Sequence, residues 1–167
     1  IYIARKLLEV LTFASSRGRV HGAIRPSRIL ITPEKRVALT NFGIGHLEQR
    51  ILSKILRDPE ERKKYEHILP YFAQEVLEDE LFDDPKNDIY SVGVILAEMI
   101  TGKRVVGEEI PKILEGTSIK PRLIEIIIKA TSDFEERYHH PNQMHQEITR
   151  LLKSSKQAET IYVAPPT

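Results

Sequence analysis

Residues 87–102, NDIYSVGVILAEMITG, are apolar around nearly the whole circumference of a helix. A helix of that kind is stable only where protein surrounds it on every side. The segment is therefore predicted to be the centre of the fold, with Asp88 near its start suiting the positive end of the helix dipole and Gly102 suiting its C-cap. At 167 residues and 41% hydrophobic content the chain fits one domain or part of one, with enough apolar side chain to bury a real core.

A formal net charge of +1 gives no global field that would draw the protein to nucleic acid, so no nucleic-acid partner is expected and any electrostatic function must be local. The absence of cysteine excludes disulfides, thiolate chemistry and cysteine-ligated zinc. The longest apolar run, Val92 to Ala97, is too short to cross a bilayer. No basic segment with an apolar signal core opens the chain, and the expected setting is cytoplasmic, either free or as the cytosolic part of a membrane-anchored protein. A start on Ile1 rather than Met is expected of a piece of a longer polypeptide.

Around the central segment, Ile3, Leu7, Leu8, Leu11, Phe13 and Ala14 recur near helical spacing and predict a helix over 2–17, ended by Gly18. Two short β-type runs, Ile29–Ile31 and Arg36–Leu39, flank the turn TPEK and predict a hairpin. A further helix is predicted from Leu47 to Leu56, with Leu47, Ile51, Leu52, Ile55 and Leu56 on one face. Pro59 begins another turn of helix, and shorter helices are expected at 71–77, near Pro111, at 121–130 and at 142–152.

Three motifs are spaced along this framework: His21-Gly22-Ala23-Ile24 followed by Arg28, then Asn41-Phe42-Gly43, then Ala73-Gln74-Glu75. Their order, the hairpin between the first two and the apolar helix after the third match the set H-R-D-L-x-x-x-N, D-F-G and A-P-E. The sequence resembles the C-terminal lobe of a Hanks-type Ser/Thr protein kinase over about residues 1–152, and HGAIRPSRILIT has a bacterial character. The resemblance implies a mainly helical, kinase-like C-lobe in which a small hairpin carries the catalytic and D-F-G-like loops. No G-x-G-x-x-G or V-A-I-K occurs, so the N-lobe is expected to be absent from this chain, and residues 153–167 are expected to be a linker or tail.

In that family an Asp accepts the substrate proton, an Asn and the D-F-G Asp hold magnesium, and a Lys steadies the transferring phosphate. The resemblance places Ala23, Arg28, Asn41 and Arg25 at those positions. Ala23 cannot accept a proton, Asn41 offers a neutral carbonyl where a hard dication wants carboxylate, and Arg28 has donors only. The formal charge of the set moves from −1 in the family to +2 here, and each unit-charge pair at about 4 Å counts for roughly 4 kcal/mol at an effective dielectric of about 20. No catalytic residue and no cofactor is therefore expected.

The resemblance also implies a retained scaffold. His21 and Phe42 belong to the hydrophobic regulatory column, Asp88 anchors the loop backbone, and Glu75 and Arg137 form a buried ion pair. Ile29, Leu30, Ile31, Ile95 and Met99 form the apolar column beneath the adenine. His67 and Ile68 replace the small residues expected before Tyr71, and Gln74 replaces the Pro of A-P-E, which is unfavourable for peptide-substrate binding. Between Asn41 and Glu75 the only hydroxyls are on Ser53, Tyr65 and Tyr71, so an activation-loop threonine switch is excluded.

The face carrying Leu47, Ile51 and Ile55 either packs on the lobe or forms a partner surface. His139, His140 and His145, and Asp83 and Asp84, are expected to be helix-flanking groups rather than metal ligands. The expected function is a pseudokinase domain that works by binding, as a scaffold or allosteric module for an active kinase or another signalling protein. A phosphothreonine reader binding the tail at Thr160 is a further partner considered. The alternative is a nucleotide- or phosphate-binding protein that uses Arg25 and Arg28 without magnesium, and a third possibility is a structural domain within a receptor-like protein.

Overall fold

The computed structural model describes residues 1–78 and 83–161, with residues 155–161 described by backbone alone. Residues 79–82 of the acidic loop and 162–167 of the expected tail lie outside the described residues. The chain begins with α1 (Tyr2–Ser15), whose Leu7, Leu8 and Leu11 are fully buried. Phe13 departs from the expected stripe: it is exposed and carries the Arg17 guanidinium 3.8 Å from its ring centroid.

A loop and a short 3-10 turn at Pro26–Arg28 lead into β1 (Ile29–Ile31) and β2 (Val37–Leu39), an antiparallel pair with Ile29 opposite Leu39 and Ile31 opposite Val37. The turn between them closes with the Lys35 N–H donating to the Thr32 carbonyl at 2.8 Å. Then follow α2 (Gly45–Ile55), α3 (Pro59–Tyr65), a 3-10 turn at Leu69–Tyr71 and α4 (Gln74–Glu78). The rest is α5 (Pro85–Thr101), α6 (Ile110–Glu115), α7 (Pro121–Thr131) and α8 (Pro141–Ile161). The described residues are mostly helical with one small two-stranded sheet, consistent with a kinase-like C-lobe.

Helix α5 is the centre: every residue from Lys86 to Ala97 is buried, and α1, α6, α7 and α8 pack around it. It starts at Pro85, ahead of the segment read from Asn87, and Asp88 lies in its first turn. Asp84, not Asp88, caps the helix by accepting from the Lys86 N–H at 2.8 Å, which leaves Asp88 free to face inward. Gly102 ends the helix in the left-handed conformation. At the C-terminus, α8 runs on to Ile161, past the boundary expected at 152, so the first residues of the expected tail, Thr160 among them, continue the helix.

Candidate functional site

The site grows from the loop His21–Arg28, which crosses the start of α5. Asp88 is buried there, and its two carboxylate oxygens accept from the backbone N–H groups of His21 and Gly22 at 2.8 Å each. Burial pushes the Asp88 carboxyl up to about 7, while the two N–H groups pull the other way. His21 is fixed in one tautomer. Its Nδ1 accepts from the Ala23 N–H at 3.3 Å, so Nε2 carries the proton and donates to the Thr40 carbonyl at 2.8 Å. Burial holds its pKa below the usual histidine value, so the ring is neutral near pH 7.

The second loop starts where the hairpin ends. Phe42 lies edge-on to His21 with ring centroids 4.7 Å apart, although it remains exposed. Asn41 takes a left-handed backbone with φ 66° and is also exposed. Ala23 is buried, its methyl group in the core.

Helix α2 then folds back onto the first loop. A Cβ at Gly45 would meet the His21 carbonyl oxygen at 1.8 Å, so only glycine allows this approach. One turn on, the buried Gln49 donates to the Gly22 carbonyl at 2.6 Å. Between them Glu48 accepts from Arg25 Nη1 at 2.8 Å through one oxygen and from Arg28 Nη2 through the other. Glu48 lowers the charge of the cluster from +2 to +1. Burial pulls the Arg28 pKa down and Glu48 opposes that pull, yet a guanidinium stays charged.

The apolar face predicted for α2 divides on seating. Leu52 is buried and Ile55 and Leu56 are half-buried, whereas Leu47 and Ile51 are 53% and 51% exposed. The buried positions of the helix are Gly45, Gln49, Leu52 and Ser53. The surface beneath its first turns is the polar backbone of a loop, which a glycine and an amide fit better than leucine.

Further from the loop, Arg137 is buried and donates to Glu75 through both Nη1 and Nη2, the second at 3.2 Å. The Glu75 side chain is half-buried rather than fully enclosed. This pair lines a cavity of about 600 Å³ whose walls include Leu69, Phe72 and Tyr90; none of Ala23, Arg25, Arg28 or Asn41 borders it. Tyr71, also buried, donates to Glu98 and accepts from Arg104 Nε at 3.2 Å, and burial with the Glu98 bond pushes its pKa up to about 12. In the column expected beneath an adenine, Ile95 is buried and Ile29 half-buried, but Leu30, Ile31 and Met99 are exposed.

The protein kinase domain family matches residues 2–160. The chain belongs to the protein kinase family. It is 27% identical over 148 residues to sperm motility kinase 3A of Mus musculus, covering 89% of this chain and 25% of that protein. To the serine/threonine-protein kinase PKH2 of Saccharomyces cerevisiae it is 33% identical over 106 residues, 61% of this chain and 10% of that one. To the leucine-rich repeat receptor-like protein kinase TDR of Arabidopsis thaliana the identity is 36% over 117 residues, 70% of this chain and 10% of that one. The chain thus spans a quarter or less of these kinases, and all three come from eukaryotes, which lends nothing to the bacterial character read from HGAIRPSRILIT.

The kinase family match also runs past residue 152, in step with the extended α8. Among the described residues no helix is long and apolar enough to cross a membrane. Within the kinase framework, sequence reasoning missed Gly45, Glu48 and Gln49. The one signal that pointed to Glu48 was the unbalanced +2 of the loop positions, which calls for an anion.

Proposed function

We propose that this kinase-family domain is catalytically silent and works by binding, as a scaffold or allosteric module for another protein. The observation that carries the reading is the seating of α2 on the loop: Glu48 clasps Arg25 and Arg28, and Gln49 and Gly45 close over Gly22 and His21. The positions that the resemblance assigns to the base, the metal and the phosphate-steadying lysine are a buried methyl group, an exposed amide and two guanidiniums engaged by a carboxylate.

A magnesium ion, which phosphotransfer in this family uses, does not fit this donor set. The Asn41 amide is its one neutral oxygen donor, and the Glu48 carboxylate is already shared by two cations. A protein partner has an apolar surface available on the outer face of α2, where Leu47 and Ile51 are exposed and Ile55 is half-buried. The half-covered column of Leu30, Ile31 and Met99 offers a second. Arg25 and Arg28 do not stand open as phosphate grips, since Glu48 occupies both.

The test is phosphoryl transfer from magnesium-ATP to the chain itself or to a basic peptide. No transfer is expected. Transfer that falls when Asn41 is replaced by Ala would overturn the reading.

A further inference from the structure

We infer that the outer face of α2 is a docking surface for an acidic amphipathic helix of another protein, one that carries carboxylates along one edge of its apolar stripe. The inference rests on the binding-domain reading above and names the chemistry of the partner.

Two stripes run side by side on that face. Ile44, Leu47 and Ile51 follow one another at helical spacing, with Ile55 beside the end of the line. His46, Arg50 and Lys54, four residues apart and all exposed, form the adjoining edge. Phe42 extends the apolar surface ahead of the helix. Four of the eleven large apolar side chains exposed among the described residues thus lie between positions 42 and 51, a concentration that marks a contact surface rather than scattered surface residues.

The basic edge lacks its match. The side chains of Arg50 and Lys54 make no ion pair or hydrogen bond among the described residues. Other helices match a cation internally: Lys6 pairs with Glu9 on α1, Lys64 with Glu61 on α3 and Arg122 with Glu125 on α7. Helix α2 has one carboxylate, Glu48, and it is turned towards the loop and held by Arg25 and Arg28. The acid that complements Arg50 and Lys54 must therefore come from outside.

The shape narrows the source. From Ile44 to Ile55 the stripe is about 16 Å long, about three turns, which is the span over which a second helix sets apolar side chains at i, i+3 or i+4, and i+7. An anionic membrane would take cations on both edges, whereas the edge opposite Arg50 is formed by Ile55 and Glu48. A second copy of the chain brings the same cations and no free carboxylate.

The experiment is selection from a display library of helical peptides of about 18 residues, with a fixed leucine stripe and flanking positions drawn equally from Glu, Lys and Gln. The baits are the whole chain and its double variant Arg50→Glu/Lys54→Glu, whose altered side chains are exposed and unpaired. The wild-type chain is expected to enrich Glu along one edge of the stripe, and the variant to enrich Lys there. In fluorescence anisotropy the best Glu-edged peptide should bind at least about tenfold more weakly to Arg50→Glu/Lys54→Glu, and to Leu47→Ser/Ile51→Ser, than to the wild-type chain.

No enriched helix, enrichment without a charge preference, or the same preference from both baits overturns the proposal. Dimerisation of the chain that is lost in Leu47→Ser/Ile51→Ser gives the face to a second copy and overturns it as well. So does binding to phosphatidylserine vesicles that needs Leu47 and Ile51 while no helix is selected. Phosphotransfer from magnesium-ATP would remove the silent-domain reading and leave the selection result standing, whereas a failed selection removes this proposal alone.

Discussion

At the start of the loop, the N–H groups of His21 and Gly22 donate to a carboxylate buried on the central helix. At its end, Arg25 and Arg28 reach a carboxylate on α2 that is partly open to solvent. The first hold uses backbone donors, with glycine at 22 because its φ is 74°, whereas the second depends on the side chains themselves. The difference explains how the loop keeps its path with Ala23 at the position that the resemblance assigns to the base. Its shape is fixed from below by Asp88, so the letters above can change without the fold being lost.

Asp88→Ala is the sharpest way to break that comparison. Two buried N–H groups lose their carboxyl partner, and a loss of about 4 kcal/mol is expected in urea unfolding. A loss under about 1 kcal/mol would mean that the loop is not held from below. The same residue sets a pH dependence. Burial raises its pKa from an ordinary 3.8 to about 7, so the folded state binds more protons than the unfolded state in that window. Its contribution to stability is therefore full below about pH 4 and falls as pH rises towards about 7, by at most about 1.4 kcal/mol per unit. Wild-type unfolding curves from pH 4 to 8 should show that slope, and those of Asp88→Asn should lack it.

Arg137→Ala extends the comparison to a holding point outside the loop, where the buried guanidinium ties Glu75 of α4 to the segment before α8. A loss of about 3 kcal/mol is expected by denaturant unfolding. Gly45→Ala tests the second hold. The added methyl collides with the His21 carbonyl and lifts α2, which should cost about 2 kcal/mol and speed hydrogen exchange at Gly22 and Ala23. The smallest effect belongs to Leu47→Glu with Ile51→Glu, which should change stability by less than about 0.5 kcal/mol because both side chains already face solvent. A large loss there would show that the outer face of α2 is covered.

Most of the framework was legible because it rests on local periodicity. The α1 stripe, the hairpin, the all-round apolar α5 and the later helices announce themselves within a few residues of sequence. The divided face of α2 did not. Leu47 and Ile51 sit at helical spacing with Leu52 and Ile55, yet the helix turns Gln49 and Gly45 inward because it lands on backbone carbonyls rather than on apolar side chains.

The site was legible only as a set of letters out of place. Its +2 charge could be read from positions 23, 25, 28 and 41, but Glu48 lies 20 residues beyond Arg28 on a segment with no fixed register to it. Asp88 lies in the first turn of α5 and accepts from the loop backbone, the two roles expected of it, while Asp84 ahead of it serves as the cap.

The glycine contact at position 45 also bears on the order in which the chain assembles. Helix α2 lands on a stretch of backbone that is itself shaped by Asp88, which is 67 residues from His21 in sequence. Its seat is therefore expected to form only once α5 has docked, a long chain closure ahead of a short one. The clasp over the loop is then expected to be the last piece placed and the first to open, which faster hydrogen exchange in α2 than in α5 would check.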